Sequence, residues 1–368
     1  YDNSIDTDPI YIVFTSGSTG VPKGVLACHR SVIDYIEQLS ETLGFDGDTV
    51  FGNQTPLYFD ACLKELYPTL KFGATTYLIP KSLFMMPIKL VEFMNEHKVN
   101  TVCWVVSALT MISAFGTFRK VRPEYLKTIA FGSEVFPIKQ FNIWKENLPE
   151  ASFTNLYGPT EGTGMCCYYK VDRDFELDEV IPIGHPFKNT QILLLKDRKE
   201  LAKPGEVGEI CIRGTSVTLG YYNNPEKTKA AFVQNPLNSS YPEIIYRTGD
   251  IGVRKSEDSL IYFRGRKDSL IKHMGYRIEL GEIEHILVNE LKVVKNCCVV
   301  YDFSKKQIVL YYEPLRFDKR QIQQKLMKVF PRYMIPTIWN QVEELPRNTN
   351  GKIDRLLLSQ RVNEQEAE

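Results

Sequence analysis

The 368-residue chain lacks an excess of either charge: Lys plus Arg and Asp plus Glu both total 45, for a formal net charge of zero at pH 7. That balance removes the electrostatic case for nucleic acid or an anionic membrane surface as the main partner. It also lacks any apolar run approaching the roughly 20 residues that span a bilayer, so no membrane insertion is expected. Among its eight cysteines, at 28, 62, 103, 166, 167, 211, 297 and 298, no C-x-x-C occurs, and the two adjacent pairs do not suit a zinc knuckle. Scattered, unpaired thiols fit a reducing compartment, and a cytoplasmic location is expected. No signal peptide is visible in the polar opening "YDNSIDTDP", and "VNEQEAE" reads as a frayed polar end. Internal repeats and low-complexity tracts are also lacking.

What the chain does contain is an ordinary globular balance, 43% apolar and 24% charged residues, at a length that predicts two or three domains. Residues 10–14, Ile-Tyr-Ile-Val-Phe, read as a buried strand, and 29–43 as a helix. From 60 to 71, Leu63, Leu66, Tyr67 and Leu70 fall on one helical face, with Asp60 placed to cap the N-terminus. The short runs "ATTYLI" and "TVCWVV", separated by a helix-like segment at 86–98, predict an α/β layer with parallel strands. From about 181 the pattern changes to "QILLLKD", "GEICIRG", "DIGVRK" and "SLIYFRG", which suits an antiparallel sheet or a small barrel. Beyond Gly265 come a helix-like stretch at 279–291, strand-like "NCCVVYD" and "QIVLYYE", and a helix-like 317–329. The expected fold is therefore a large α/β domain, 1–266, whose β-rich part begins near 181. A small α+β domain, 267–368, follows a charged loop at 264–269.

The polar stretch "TSGSTGVPKG" follows the first strand. Gly17, Gly20 and Gly24 allow tight turns and exposed amide groups; Thr15, Ser16, Ser18 and Thr19 add hydroxyls, and Lys23 adds a point charge. Small donors with one cation suit a polyphosphate. The spacing differs from G-x-x-x-x-G-K-[ST], because Lys23 follows a proline and precedes Gly24, which disfavours a P-loop NTPase. The competing reading is a surface turn, since Gly/Ser clusters mark loops generally.

Five further stretches accompany that loop: "NLYGPTEGT" at 155–163, "GEVGEICIRGTSVTLGYYNNPEKT" at 205–228, "YRTGD" at 246–250, "FRGRKDSLIKHMGYRIELGEIE" at 263–284 and "LPRNTNGKIDR" at 345–355. In order and spacing the set resembles the adenylate-forming superfamily. Within it, the set looks most like the amino-acid adenylation domains of nonribosomal peptide synthetases and the D-alanine–carrier protein ligases. The resemblance covers nearly the whole chain, but the family has a substantial region ahead of the Ser/Thr/Gly loop where this chain has about ten residues. It looks like a domain cut at its N-terminus.

The resemblance implies ATP-dependent activation of an amino acid as an aminoacyl adenylate, then transfer to the phosphopantetheine thiol of a carrier protein. It implies that Thr15, Ser16, Gly17, Ser18, Thr19, Gly20 and Lys23 bind phosphate. Tyr157 would stack on adenine and Asn155 would contact its polar edge, while Thr160 faces phosphate and Glu161 holds Mg²⁺. Asp250 would accept from the ribose hydroxyls, with Arg266 beside it. Lys352 would be the catalytic lysine, with Gly351 keeping its approach narrow. Asp268 matches the hinge, and Gly275 the pantetheine channel. Each residue also has a plainer reading: Glu161 as a solvated loop carboxylate, Tyr157 as a core aromatic, Asp250 and Gly275 as turn residues, Arg266 and Asp268 as linker charges. An acyl- or aryl-CoA ligase is the rival activity, and a nucleotide- or carrier-binding remnant without catalysis is a third reading.

For the acid, the family pairs an aspartate with the substrate ammonium, and Phe59-Asp60 supplies one here. Carried over, the remaining pocket positions are Ala61, Lys64, Trp104, Ile129, Phe131, Leu156, Gly164 and Met165, with Trp104 and Phe131 making the pocket short and apolar. Lys64 has two readings: it neutralises an acidic substrate side chain, or it pairs with Asp60 at i, i+4 on a helix surface.

Overall fold

A computed structural model describes residues 3–15, 22–177, 179–266, 270–346 and 353–363. The chain divides into two compact units, residues 1–14 with 24–267 and residues 15–23 with 268–368.

The large unit is built on a seven-stranded sheet in the order Thr75–Leu78, Val50–Asn53, Thr101–Val105, Thr128–Gly132, Ser152–Tyr157, Cys167–Lys170, His185–Pro186. The first five strands are parallel and the last two antiparallel. Side chains alternate across a strand, so neighbouring residues serve different cores. Trp104, Ile129, Phe131 and Phe153 pack with the helices Pro87–Glu96, Val106–Ala114 and Ile138–Asn147. Cys103, Ala130 and Leu156 pack with His29–Leu43 and Leu63–Phe72 on the other face. His29–Leu43 has the helical spacing its sequence predicts: Val32, Tyr35, Ile36, Leu39 and Leu43 are buried, and Gly44 ends it at φ 71° with its amide donating to Ser40 O.

Two local expectations change. The first strand, Pro9–Thr15, is not buried: Phe14 is 59% exposed, because the strand lies at one edge of a small sheet with Lys23–Cys28 and Gly220–Tyr221. The segment from 60 begins as a 3-10 turn, Asp60–Cys62, and the α-helix starts only at Leu63, with no side-chain cap at either start. Its buried face carries Leu63, Lys64, Glu65 and Pro68, while Leu70 is 81% exposed.

The β-rich part is an open antiparallel sheet. Ile244–Arg254 pairs along one side with Val207–Gly214, and its two halves pair along the other with Phe232–Gln234 and Ile261–Arg266. Eleven residues make that strand long enough to hold both.

The small unit has a sheet of Val294–Asp302, Gln307–Pro314 and Ile338–Gln341, the last pair parallel. Alternation again splits the core: Val299 and Leu310 pack with Ile283, Leu287 and Ile322, whereas Val300 and Val309 pack with Leu345 and Leu358. Lys319–Leu326 starts with a capping box in which Asp318 and Gln321 satisfy each other's amides. Sequence reading missed the strand Ile338–Gln341 and the helix Arg355–Asn363. All eight cysteines are buried free thiols, and among the described residues no helix is long and apolar enough to cross a membrane.

Candidate active site

Parallel strands gather ligands at their carboxyl ends. Ser152–Tyr157 is such a strand, and the segment leaving its end carries the Tyr-Gly-Pro-Thr-Glu motif. Gly158 is required there by close approach: a Cβ on it would lie 2.4 Å from Gly164 O and 2.6 Å from Met165 Cα. The chain then makes a 3-10 turn, Thr160–Gly162, and Thr163 follows at φ 55°. A β-branched residue in that region is strained, by about 1–3 kcal/mol. Its hydroxyl, donating to Ser216 O at 2.7 Å, ties it down.

This turn buries Glu161 completely and anchors it twice to one neighbouring segment. Tyr221 Oη donates to the carboxylate at 2.7 Å, and the Thr218 amide donates to the Glu161 carbonyl at 3.1 Å. Sequence reading missed Tyr221, although the stretch containing it was part of the resemblance; nothing in the spacing links positions 60 residues apart.

Tyr157 donates its hydroxyl to Asp250 Oδ2 at 2.5 Å, across 93 residues of sequence. Burial pushes the Tyr157 phenol well up, and the neighbouring Asp250 carboxylate adds to it. It therefore stays a donor at any physiological pH. Asp250 also takes its place from the backbone, its amide donating to Thr248 Oγ1 at 2.9 Å. The strand register sets Arg266 directly across from Asp250. Asn155, two residues before Tyr157, donates from Nδ2 to Pro182 O at 2.8 Å. Thus Tyr157, Asp250 and the backbone of Arg266 come together, with Asn155 two residues earlier on the Tyr157 strand and Thr160 and Glu161 on the turn that follows it.

The carried-over pocket residues divide. Leu156 and Met165 share the core cluster of Tyr35, Cys62, Leu63 and Cys103, and Gly164, at φ 88°, lies against the Tyr35 ring, 3.3 Å from where its Cβ would stand. Trp104, Ile129 and Phe131 instead face the helices on the opposite side of the sheet. Trp104 donates to Gly52 O at 2.6 Å and Phe131 meets Phe136 edge-on. The strand pleat puts them there: one residue's shift along the strand changes its face.

Lys64 is not on a helix surface. It is 3% exposed, and among the described residues no carboxylate lies within ion-pair distance of its ammonium. Its neighbour Glu65 is fully buried and accepts from Asn53 Nδ2 at 2.6 Å. Burial pushes the Glu65 carboxyl up to about 7, against the opposing pull of the Lys64 charge and the Asn53 hydrogen bond. Burial, with the nearby charge of Asp60 adding to it, pushes up the phenols of Tyr11 and Tyr35.

Ser16, Gly17, Ser18, Thr19, Gly20, Asp268, Gly351 and Lys352 lie outside the described residues. Thr15 ends the first strand and Lys23 begins the next. Gly275 occupies the two-residue turn of the hairpin Leu270–His273 with Tyr276–Glu279, where Met274 at φ 52° and Gly275 at φ 81° fit a type I′ turn. For a metal, the described residues hold no group of three or more His, Cys, Asp or Glu side chains. A buried single carboxylate such as Glu161 does suit a Mg²⁺ ion that takes its other ligands from phosphate and water.

A family model described as AMP-binding enzyme matches residues 3–222. Gramicidin S synthase 2 of Brevibacillus brevis is 33% identical over 354 residues, which is 95% of this chain and 8% of that protein. The D-alanine–D-alanyl carrier protein ligase of Bacillus cytotoxicus is 31% identical over 97% of this chain and 71% of that ligase. A solved nonribosomal peptide synthetase protein containing adenylation and PCP domains, bound to a vinylsulfonamide inhibitor, matches at TM-score 0.81 and 26% identity. That match covers 97% of this chain and 61% of the other. This chain therefore spans under a tenth of the synthetase and about seven-tenths of the ligase. By the match over residues 3–222 and the aligned ligase, the chain belongs to the AMP-binding enzyme family.

Proposed function

We propose that this chain activates an amino acid as its adenylate and loads it onto the phosphopantetheine thiol of a carrier protein. In the first step a carboxylate oxygen of the amino acid attacks the α-phosphorus of ATP, and the bond to the β-phosphate breaks to release pyrophosphate. In the second the thiolate attacks the acyl carbon and AMP leaves. The observation that carries the reading is the meeting of Tyr157 with Asp250, opposite Arg266, beside the turn that buries Glu161. An aromatic face, a carboxylate for vicinal hydroxyls and a carboxylate for a hard cation are what a Mg²⁺-bound adenine nucleotide needs.

In this reading Tyr157 stacks on adenine, Asn155 meets its edge, and Asp250 with Arg266 holds the ribose. Thr15 to Gly20, Lys23 and Thr160 cradle the phosphates. Glu161 would hold a Mg²⁺ ion, which would supply positive charge at the phosphate oxygens. Lys352 bridges the substrate carboxylate and the α-phosphate; at about 3 Å and an effective dielectric near 20, such a contact is worth on the order of 5 kcal/mol. Asp268 is the hinge between domains 1–266 and 267–368, and Gly275 lines the thiol's route. The setting is cytoplasmic. Asp60 favours an amino acid over the acids of CoA ligases, which have no ammonium to pair.

The test is amino-acid-dependent ATP–pyrophosphate exchange with wild type and Lys352→Ala. Exchange lost on substitution, with ATP binding kept, is the expected result. Near-normal exchange in the variant removes Lys352 from the mechanism. ATP binding by wild type without exchange for any amino acid favours the non-catalytic remnant.

A further inference from the structure

The strand order of the large sheet reverses between Val50–Asn53 and Thr101–Val105: the chain goes from the first of these outward to Thr75–Leu78, then returns to its other side. Crevices at the carboxyl ends of such a reversal are where α/β sheets bind ligands. Asn53 ends one of the two strands, and its side chain holds Glu65. Lys64 is the adjacent residue.

A lysine buried to 3% exposure is costly unless its ammonium has acceptors. No side chain supplies them here: among the described residues Lys64 has neither an ion pair nor a hydrogen bond. Glu65, its nearest charged neighbour in sequence, is engaged by Asn53, and its carboxyl is held toward the neutral form by burial. The Lys64 charge is felt at Glu65, Cys62 and Cys103, so it lies among the buried groups at this crevice. Two buried hydroxyls in the same region, Tyr11 Oη and Tyr35 Oη, also have no partner among the described residues. Asp60, whose charge reaches both phenols, stands four residues before Lys64.

We propose that this crevice selects an amino acid with an anionic side chain, aspartate or glutamate, whose side-chain carboxylate pairs with Lys64 while its α-ammonium pairs with Asp60. The proposal rests on the amino-acid-activating reading above. It assigns the Lys64 ammonium a counter-charge that no carboxylate among the described residues provides. An anion bound beside Lys64 also favours the protonated form of Glu65, so binding takes up a proton near pH 7.

The experiment measures binding of non-hydrolysable aminoacyl sulfamoyl adenosines carrying aspartyl, glutamyl, alanyl, leucyl and lysyl groups, by calorimetry in two buffers of different ionisation enthalpy. Wild type and Lys64→Met are compared. Expected is at least tenfold tighter binding of the aspartyl or glutamyl compound than of the neutral ones, with proton uptake. Lys64→Met should abolish that preference, the aspartyl and glutamyl compounds losing at least tenfold more affinity than the neutral ones. Tightest binding of a neutral or lysyl compound overturns the acidic assignment and leaves the activation reading standing. Equal weakening of all five in the variant assigns Lys64 a structural role and overturns the proposal. If none of the five binds while ATP does, the acidic assignment is overturned and the exchange assay above decides the activation reading. Should Lys64→Met not fold, the wild-type order of affinities decides alone.

Discussion

Replacing Glu65 by glutamine tests whether burial holds that carboxyl toward its neutral form inside the large unit. The side chain is fully buried, accepts from Asn53 Nδ2, and has one oxygen, Oε1, without a partner among the described residues. Burial moves its carboxyl from the ordinary 4.5 to about 7. The sign follows from proton counting. Between those values the unfolded chain has lost the proton and the folded chain keeps it, so stability falls as pH rises. The contribution is fully present below about 4.5 and is lost as pH rises through about 7. At about 1.4 kcal/mol per pKa unit, the interval is worth about 3 kcal/mol. Glutamine keeps an acceptor for Asn53 and never ionises. The assay is denaturant unfolding from pH 4.5 to 8.5, followed by the fluorescence of Trp104 and Trp144, both buried in the core of the large unit. Wild type should lose about 3 kcal/mol relative to Glu65→Gln across that range, read as a midpoint shift multiplied by the slope of the transition. Parallel curves for the two proteins would refute the reasoning, because they would show that Glu65 ionises as freely in the fold as in the unfolded chain.

Gly158→Ala should destabilise the large unit by about 3 kcal/mol or more, since its Cβ meets only backbone atoms that cannot swing away. Gly205→Ala, at φ 85° with open space around it, should cost about 1 kcal/mol in the same unfolding assay. Tyr221→Phe removes the hydroxyl that orients Glu161 and should weaken Mg²⁺-dependent ATP binding about tenfold while leaving the Mg²⁺-free value alone; titrations with and without the metal check it. Asp318→Ala breaks a capping box and should cost the small unit about 1 kcal/mol, measured by amide exchange in Lys319–Leu326.

Local rules carried much of the secondary structure. Helix His29–Leu43 was legible because its apolar residues repeat at the helical period and a glycine follows. The strands Thr101–Val105 and Val207–Gly214 were legible as short apolar runs between turns. The segment after Asp60 was legible in part: Leu63, Leu66 and Tyr67 pack against the core as their spacing predicts, whereas the helix-surface reading of Lys64 does not hold. There the helix turns Lys64 and Glu65 inward, where Asn53 provides a hydrogen bond, and leaves Leu70 outside.

The sequence by itself determined the class of the layers, the order of the motifs and the residue types available for a nucleotide, because these depend on periodicity and on chemistry carried within short stretches. Only the tertiary structure decided that Tyr157 meets Asp250, that Tyr221 holds Glu161, and that Trp104 and Phe131 face the helices rather than the Tyr35 side of the sheet. Those outcomes depend on strand register and on contacts between residues tens of positions apart, which no local pattern encodes.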